Sequence, residues 1–332
     1  MENNELFDDL SQRVRPLLDR VEELLLAQVQ GASDLVDPLT QHLAVAGGKR
    51  MRPNLVMLCG QIGPRPNADL LVKAAAAVEL THLATLYHDD VMDSAPQRRG
   101  VRSAQLEWGN NRAILAGDVL FARASRLVAA LGPEAVDYHA ATFERLCLGQ
   151  LNETFGPQPG DDRVEFYIQV LADKTGSLVA SAASFGAMFS GCSDAVRDAV
   201  ASYGERLGVA FQIADDVLDI MSDGSVSGKT PGTDLREGVD TLPVLLLRQR
   251  AASGEGDSAD AQVLNALAAD LSEDEVLAHV VELLRENSVM EQTRQLARDW
   301  VNSAVDALDA IPDGEPKRAL IEFADLMINR VN

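Results

Sequence analysis

The sequence predicts an all-α fold, one domain spanning residues 1–332, on three observations. Apolar residues recur at helical spacing nearly everywhere, sustained period-two alternation is absent, and the breaks fall where turn residues cluster. With 332 residues and 46% hydrophobic content the chain can bury a sizeable core, and no composition shift marks a domain boundary.

Taken in order, Leu17, Leu18, Val21, Leu24, Leu25 and Val29 form the apolar face of a first amphipathic helix. It follows an acidic start, Met1-Glu2-Asn3-Asn4-Glu5, with no signal-peptide pattern. A long Ala-rich helix is expected from near Asn67 to about Asp93, and Ala74 to Ala77, the best helix formers, favour it directly. Further helices are predicted near 112–131, 134–154, 163–173, 176–190, 194–221, 240–252, 258–269, 273–287, 288–310 and 315–330. Breaks are expected at Gly63-Pro64-Arg65-Pro66, at Gly156-Pro157-Gln158-Pro159-Gly160 and across Ser222 to Gly232, with a surface loop from Ala251 to Asp260. The weakly polar stretch Leu178 to Gly191 is too short to span a bilayer. Cys59, Cys147 and Cys192 have no metal-ligand spacing and read as small buried hydrophobes, so a cytoplasmic, reducing location is expected.

The net charge of −22, with 51 acidic against 29 basic residues and no long basic run, excludes a nucleic-acid-binding surface. Against that acidic background two clusters stand out. Asp89-Asp90-Val91-Met92-Asp93 ends the Ala-rich helix, and Asp215-Asp216-Val217-Leu218-Asp219 repeats the pattern late in another. Positions i and i+4 share a helix face, so Asp89 with Asp93, and Asp215 with Asp219, each aim two carboxylates one way. Like charges repel there and a helix C-terminus disfavours anions, so a hard divalent cation is the expected counter-charge.

Mg²⁺ prefers one or two carboxylates plus water and phosphate oxygens. Phosphate-binding cations do accompany the clusters: Gly47-Gly48-Lys49-Arg50-Met51-Arg52-Pro53, Arg98-Arg99-Gly100, Lys174-Thr175-Gly176 and Gly228-Lys229, which together hold three of five lysines. Jointly they describe a site for two diphosphates and several Mg²⁺ ions. His82 precedes Asp89 by seven residues on nearly the same face and is expected to contact phosphate, whereas His88 is expected to be structural. There is no Ser/His/Asp grouping, zinc spacing or Walker loop. A binuclear hydrolase would want His ligands beside its carboxylates. What remains is a diphosphate leaving from carbon, with a carbocation in an apolar cavity and the released pyrophosphate able to take the final proton.

These residues resemble the trans-polyprenyl diphosphate synthase family over nearly the whole chain, most strongly from Gly47 to Pro243. The resemblance implies an antiparallel helical barrel with the two DDxxD motifs facing a central cavity. It also implies head-to-tail condensation of isopentenyl diphosphate onto an allylic diphosphate, three Mg²⁺ ions per site and a homodimer. Carried over by position, Asp89, Asp93 and Asp215 ligate Mg²⁺, while Asp90, Asp216 and Asp219 ligate it or hold its water. Arg98, Lys174 and Lys229 grip the allylic diphosphate. Lys49, Arg52, His82 and Arg99 grip isopentenyl diphosphate, with Gly48 allowing close approach. Thr175 and Gln212 stabilise the developing cation. One departure is Val239, where many members carry another lysine.

Family members set product length with bulky residues one and two turns before the first cluster. Here Thr85, Ala84, Thr81 and Ala77 are small, and no residue is inserted within Asp89–Asp93. A deep tunnel and a product beyond C15, in the C20–C50 range, are therefore expected, with Leu120 or Phe121 as candidate floor residues. Such a product is poorly soluble, so transient membrane-surface contact through it is also expected. A class I terpene cyclase would replace the second DDxxD and needs no second diphosphate pocket. A non-catalytic regulatory subunit would show degraded motifs, and a lipid carrier would not need two metal clusters.

Overall fold

The computed structural model describes residues 2–222 and 231–328. Its helices are α1 (Glu2–Gln28), α2 (Asp37–Val45), α3 (Met51–Cys59), α4 (Ala68–Met92), α5 (Ala104–Trp108), α6 (Asn110–Ala129), α7 (Pro133–Phe155), α8 (Arg163–Leu171), α9 (Ser177–Ser190) and α10 (Asp194–Met221). After the undescribed segment come α11 (Thr233–Arg236), α12 (Leu242–Ser253), α13 (Ser258–Ala266), α14 (Asp274–Glu286), α15 (Val289–Ala307) and α16 (Glu315–Ile328). Among the described residues, strand is confined to a short antiparallel hairpin, β1 (Gln97–Arg98) and β2 (Val101–Arg102). The expected all-α class is the observed one.

Contacts divide the chain into two compact units. The first comprises Met1–Glu144, Leu178–Gly204 and Ala307–Ile321; the second comprises Arg145–Ser177, Glu205–Asp306 and Glu322–Asn332. The core of the first unit is built on α4. Asn67 caps this helix by accepting from Leu70 N at 3.2 Å, satisfying one of its orphan amides. Leu80, Leu83, Ala84 and Tyr87 of α4 pack with Ala113, Ala116, Leu120 and Ala124 of α6. The two helices meet closely because Gly117 carries no Cβ, which would lie 2.3 Å from His88 Nε2. Tyr87 reaches across to donate its hydroxyl to Leu39 O, at 2.5 Å, fixing the first turn of α2 on α4.

The second unit has its own core. Val209, Ile213, Val217 and Ile220 of α10 pack with Leu242 and Val244 of α12 and Leu277, Val280 and Leu284 of α14. Between α8 and α9 the backbone widens into one π-helical turn, Ala172–Gly176. There Gly208 of α10 approaches so closely that an added Cβ would sit 2.6 Å from Gly176 Cα.

The long helices fall within a few residues of the predicted ranges, whereas α2, α3, α5, α11 and the hairpin were not expected from the sequence. Only Cys59 is buried as expected; Cys147 is exposed and Cys192 half-buried, and all three thiols are free. Helix α4 is long and apolar enough to cross a membrane by length and composition alone, yet it is the buried core helix of the first unit.

Candidate functional site

In the first unit the acidic cluster occupies the last turn of α4. Asp89 is half-buried, and Asp93, the C-cap, is exposed. Asp90 turns the other way and is fully buried. Its Oδ1 accepts from Arg98 Nε at 2.6 Å, while its Oδ2 finds no partner among the described residues. Burial pushes the Asp90 carboxyl upward from its ordinary range, with the Arg98 guanidinium opposing the shift.

Arg98 reaches Asp90 because of the hairpin. Its two-residue turn, Arg99-Gly100, has φ of 54° and 77°, the left-handed pair that matches the twist of the flanking strands. The strand-to-turn change sends the two consecutive arginines to different partners. Arg99 donates to Leu43 O at 2.9 Å and to Gly47 O, and its guanidinium lies against Gly48. An added Cβ at Gly48 would stand 3.0 Å from Arg99 Cζ, so the close approach expected of this glycine serves a neighbouring arginine.

Beside Arg99 lie the other cations of the Gly-Gly turn. Arg50, itself left-handed at φ 47°, caps the start of α3 and forks onto Glu22, with both contacts at 2.9 Å. It also donates to Ala44 O at 3.0 Å. Arg52 stands in the first turn of α3, where the following Pro53 loses no helical hydrogen bond. Burial lowers the pKa of Arg52 from its ordinary value, and its Nε has no partner among the described residues. Burial, followed by the fields of Arg52, Arg99, Arg98 and Arg50, holds His82 well below the usual imidazole pKa. A neutral imidazole among arginines can offer an N–H to an anion without adding to their mutual repulsion. His88 is structural as expected: Nε2 meets Ile114 O at 3.0 Å and the ring contacts Phe121.

In the second unit the acidic cluster lies near the end of α10. Asp215 is half-buried. Asp216 is buried, and its Oδ2 accepts from the Tyr167 hydroxyl at 2.8 Å and from Leu242 N at 3.2 Å. Burial raises its pKa well above the usual carboxylate range, while the hydroxyl and the amide oppose this by favouring the charged form. Asp219 accepts from Thr233 N at 3.2 Å and Asp234 N at 3.3 Å, so its carboxylate caps α11.

Lys174 and Thr175 stand in the π turn, and Lys174 pairs with Glu153. The turn is held by Arg145, whose Nε donates to Asp173 Oδ1 at 2.9 Å and whose Nη1 reaches Glu205 Oε2 at 2.6 Å. Gln212 is half-buried on α10, one turn before Asp216. Lys229 lies outside the described residues. Of the chain-length positions, Ala77, Thr81 and Ala84 are fully buried and Thr85 is half-buried.

Among the described residues, no three His, Cys, Asp or Glu side chains form a ready-made metal cage. Each acidic cluster instead supplies carboxylate oxygens alone. That donor set fits a hard divalent cation that completes its shell with water and phosphate oxygens. Glu22, Glu79, Arg145 and Tyr167 were missed in the sequence because no motif marks them. Their importance lies in what they touch.

The family model described as polyprenyl synthetase matches residues 33–284. A nonaprenyl diphosphate synthase of Mycobacterium tuberculosis is 44% identical over 96% of this chain and 93% of its own. A geranylgeranyl pyrophosphate synthase of Corynebacterium glutamicum, solved with calcium and isoprenyl diphosphate, superposes with a TM-score of 0.85 at 40% identity over 98% of each chain. A polyprenyl synthase of Caulobacter crescentus gives 0.87 at 32% identity, again over 98% of each.

Proposed function

The chain belongs to the polyprenyl synthetase family, with the all-α isoprenoid synthase fold, and is a prenyltransferase; on that premise we propose how its residues divide the work. The substrates are isopentenyl diphosphate and an allylic diphosphate, joined head to tail. The observation that carries this reading is the 2.6 Å contact of Arg98 with Asp90, which keeps a diphosphate-binding cation beside the first carboxylate cluster.

Asp89, Asp93 and Asp215 would hold Mg²⁺, three ions in all; of the other three aspartates expected to ligate it or hold its water, buried Asp90 and Asp216 anchor the helix ends and Asp219 caps α11. When bound, Mg²⁺ supplies Lewis-acid stabilisation of the departing diphosphate. Arg98, Lys174 and Lys229 neutralise the allylic diphosphate. Lys49, Arg52, Arg99 and the N–H of neutral His82 bind the second diphosphate, with Gly48 giving room for the Arg99 guanidinium. Thr175 and Gln212 offer oxygens to the developing cation. The released pyrophosphate takes the last proton.

The reading treats residues 1–332 as one catalytic domain, cytoplasmic and homodimeric, with transient membrane contact through its lipid product. That product is proposed to exceed C15. Of the four small chain-length positions, half-buried Thr85 supports this, as do the nonaprenyl and geranylgeranyl products named for two relatives, whereas Ala77, Thr81 and Ala84 are fully buried.

The test offers labelled isopentenyl diphosphate with C5, C10, C15 and C20 allylic primers and Mg²⁺, then sizes the dephosphorylated products. A ladder converging on one length above C15 is expected. Termination at C15 would keep the chemistry and discard the tunnel. No incorporation by the folded protein with any primer would favour a regulatory subunit.

A further inference from the structure

We propose that Glu79 is a positioning residue, the buried anion that holds the arginine pocket in the shape that receives isopentenyl diphosphate. The proposal rests on the assignment of Arg52, Arg99 and His82 to that substrate, and it adds a residue outside the acidic and basic motifs.

Glu79 lies on α4, one turn before His82 and about three turns before Asp90, on the same face as Asp90. It is 2% exposed. Its Oε1 accepts from Arg50 Nη1 at 3.0 Å and stands 3.7 Å from Arg99 Nη2. A charged carboxylate this deeply buried requires paired cations, and here one oxygen serves two.

These guanidiniums need an anion between them. Burial and the fields of Arg50 and Arg98 lower the pKa of Arg99, and Glu79 counteracts both. Arg52 is likewise disfavoured by burial and by Arg99, and is supported by Glu79. Glu79 therefore touches Arg50 and Arg99 directly and its field also favours the charged form of Arg52. The cations arrive from two segments: Arg50 and Arg52 from the start of α3, and Arg99 from the hairpin.

The cluster is also incomplete. Glu22 forks onto Arg50 and two carbonyls accept from Arg99, whereas buried Arg52 Nε has no acceptor among the described residues. A buried donor left unmade marks the place for a ligand oxygen. With Arg50 and Arg99 tied to Glu79, a diphosphate meets cations that are already in place, and binding need not first overcome their separation.

Charge counting and positioning predict opposite signs. If the pocket were only a positive field, Glu79→Gln would remove an anion and tighten diphosphate binding. Under the positioning role it weakens binding, because the arginines move apart. The variant is assayed in the full-length protein with both substrates varied in turn. The expected result is a rise of about tenfold in KM for isopentenyl diphosphate, with kcat and the allylic KM within about twofold of the parent. An unchanged or lowered isopentenyl KM, or equal rises in both KM values, overturns the proposal.

Arg50→Lys keeps the charge but loses the fork to Glu79 and Glu22, and is expected to shift KM in the same direction. Should Glu79→Gln not fold, as read by circular dichroism and thermal unfolding, Arg50→Lys decides alone: a selective rise supports the role and no rise overturns it. Parent protein that incorporates no isopentenyl diphosphate would instead defeat the substrate assignment itself, an outcome visible before any variant is made.

Discussion

Ala84 and Thr85 are neighbours in sequence but differ in surroundings, so the same substitution at each should have separable effects. Ala84 is fully buried in the cluster that joins α4 to α6, and its carbonyl oxygen is 3.2 Å from where a Cβ on Gly117 would stand. A phenyl ring there has no void to enter and must push the two helices apart. Overpacking of that kind costs about 1–3 kcal/mol. In a chain of this size that corresponds to a fall in Tm of about 1–4 °C. Thr85 is half-buried, and its hydroxyl is spent on the carbonyl of His82, 2.8 Å away within the same helix. Thr85→Phe loses only that local bond, with a stability change of about 0.5 kcal/mol or less. Its ring points off the packed face and is expected to shorten the product. Differential scanning fluorimetry gives the two Tm values, and chromatography of dephosphorylated products gives chain length. The reasoning fails if Ala84→Phe melts with the parent while shortening the product, because Ala84 would then face open space. It also fails if Thr85→Phe leaves the product distribution unchanged.

Two further outcomes follow from the environments of His82 and Tyr167. His82 titrates well below its unfolded value of about 6.5, so below that pH the unfolded chain binds a proton that the folded chain refuses. Stability therefore falls as pH drops beneath about 6.5, by up to about 1.4 kcal/mol per pH unit, and His82→Gln should flatten that slope in urea unfolding between pH 5 and 8. An unaltered slope would show that His82 ionises freely. Tyr167→Phe removes the 2.8 Å donor from buried Asp216 and leaves the Leu242 amide, so a loss of about 1 kcal/mol is expected. The Mg²⁺ concentration for half-maximal activity should rise with it. Parent-like values of both would mean the hydroxyl does not hold the cluster.

The fold was legible wherever a helix is long enough to show its period. The range predicted for α10, 194–221, coincides with the observed helix, and α4 differs from its prediction by a residue at each end. The failures are short elements. Helices α2 and α3 have nine residues each and are held by contacts distant in sequence, such as the Tyr87 hydroxyl on Leu39 O and the Arg50 fork to Glu22. Local pattern carries no record of such contacts. The hairpin escaped for a related reason. Its turn is Arg-Gly, and a left-handed arginine is not a turn signal; the Arg99 side chain, tied to Leu43 and Gly47, holds it there.

The site shows the same division in its chemistry. Residue type and spacing were enough to find the two aspartate clusters and the cations, because like charges at helical spacing require a counter-charge whatever the tertiary structure. Spacing does not distinguish the aspartates within a cluster. In both motifs the second aspartate is buried and anchored, Asp90 by Arg98 and Asp216 by Tyr167 with the Leu242 amide, whereas the first is half-buried. The repeated pattern therefore pairs outer carboxylates, to which the proposed cation role falls, with an inner one that locks the helix end presenting them. The anchors differ completely between the two copies, an arginine from a hairpin in one and a phenol from α8 in the other. No comparison of the motifs with each other would have found either. Glu79 extends the same logic to the cations: a buried group with no motif of its own decides where the recognisable ones stand.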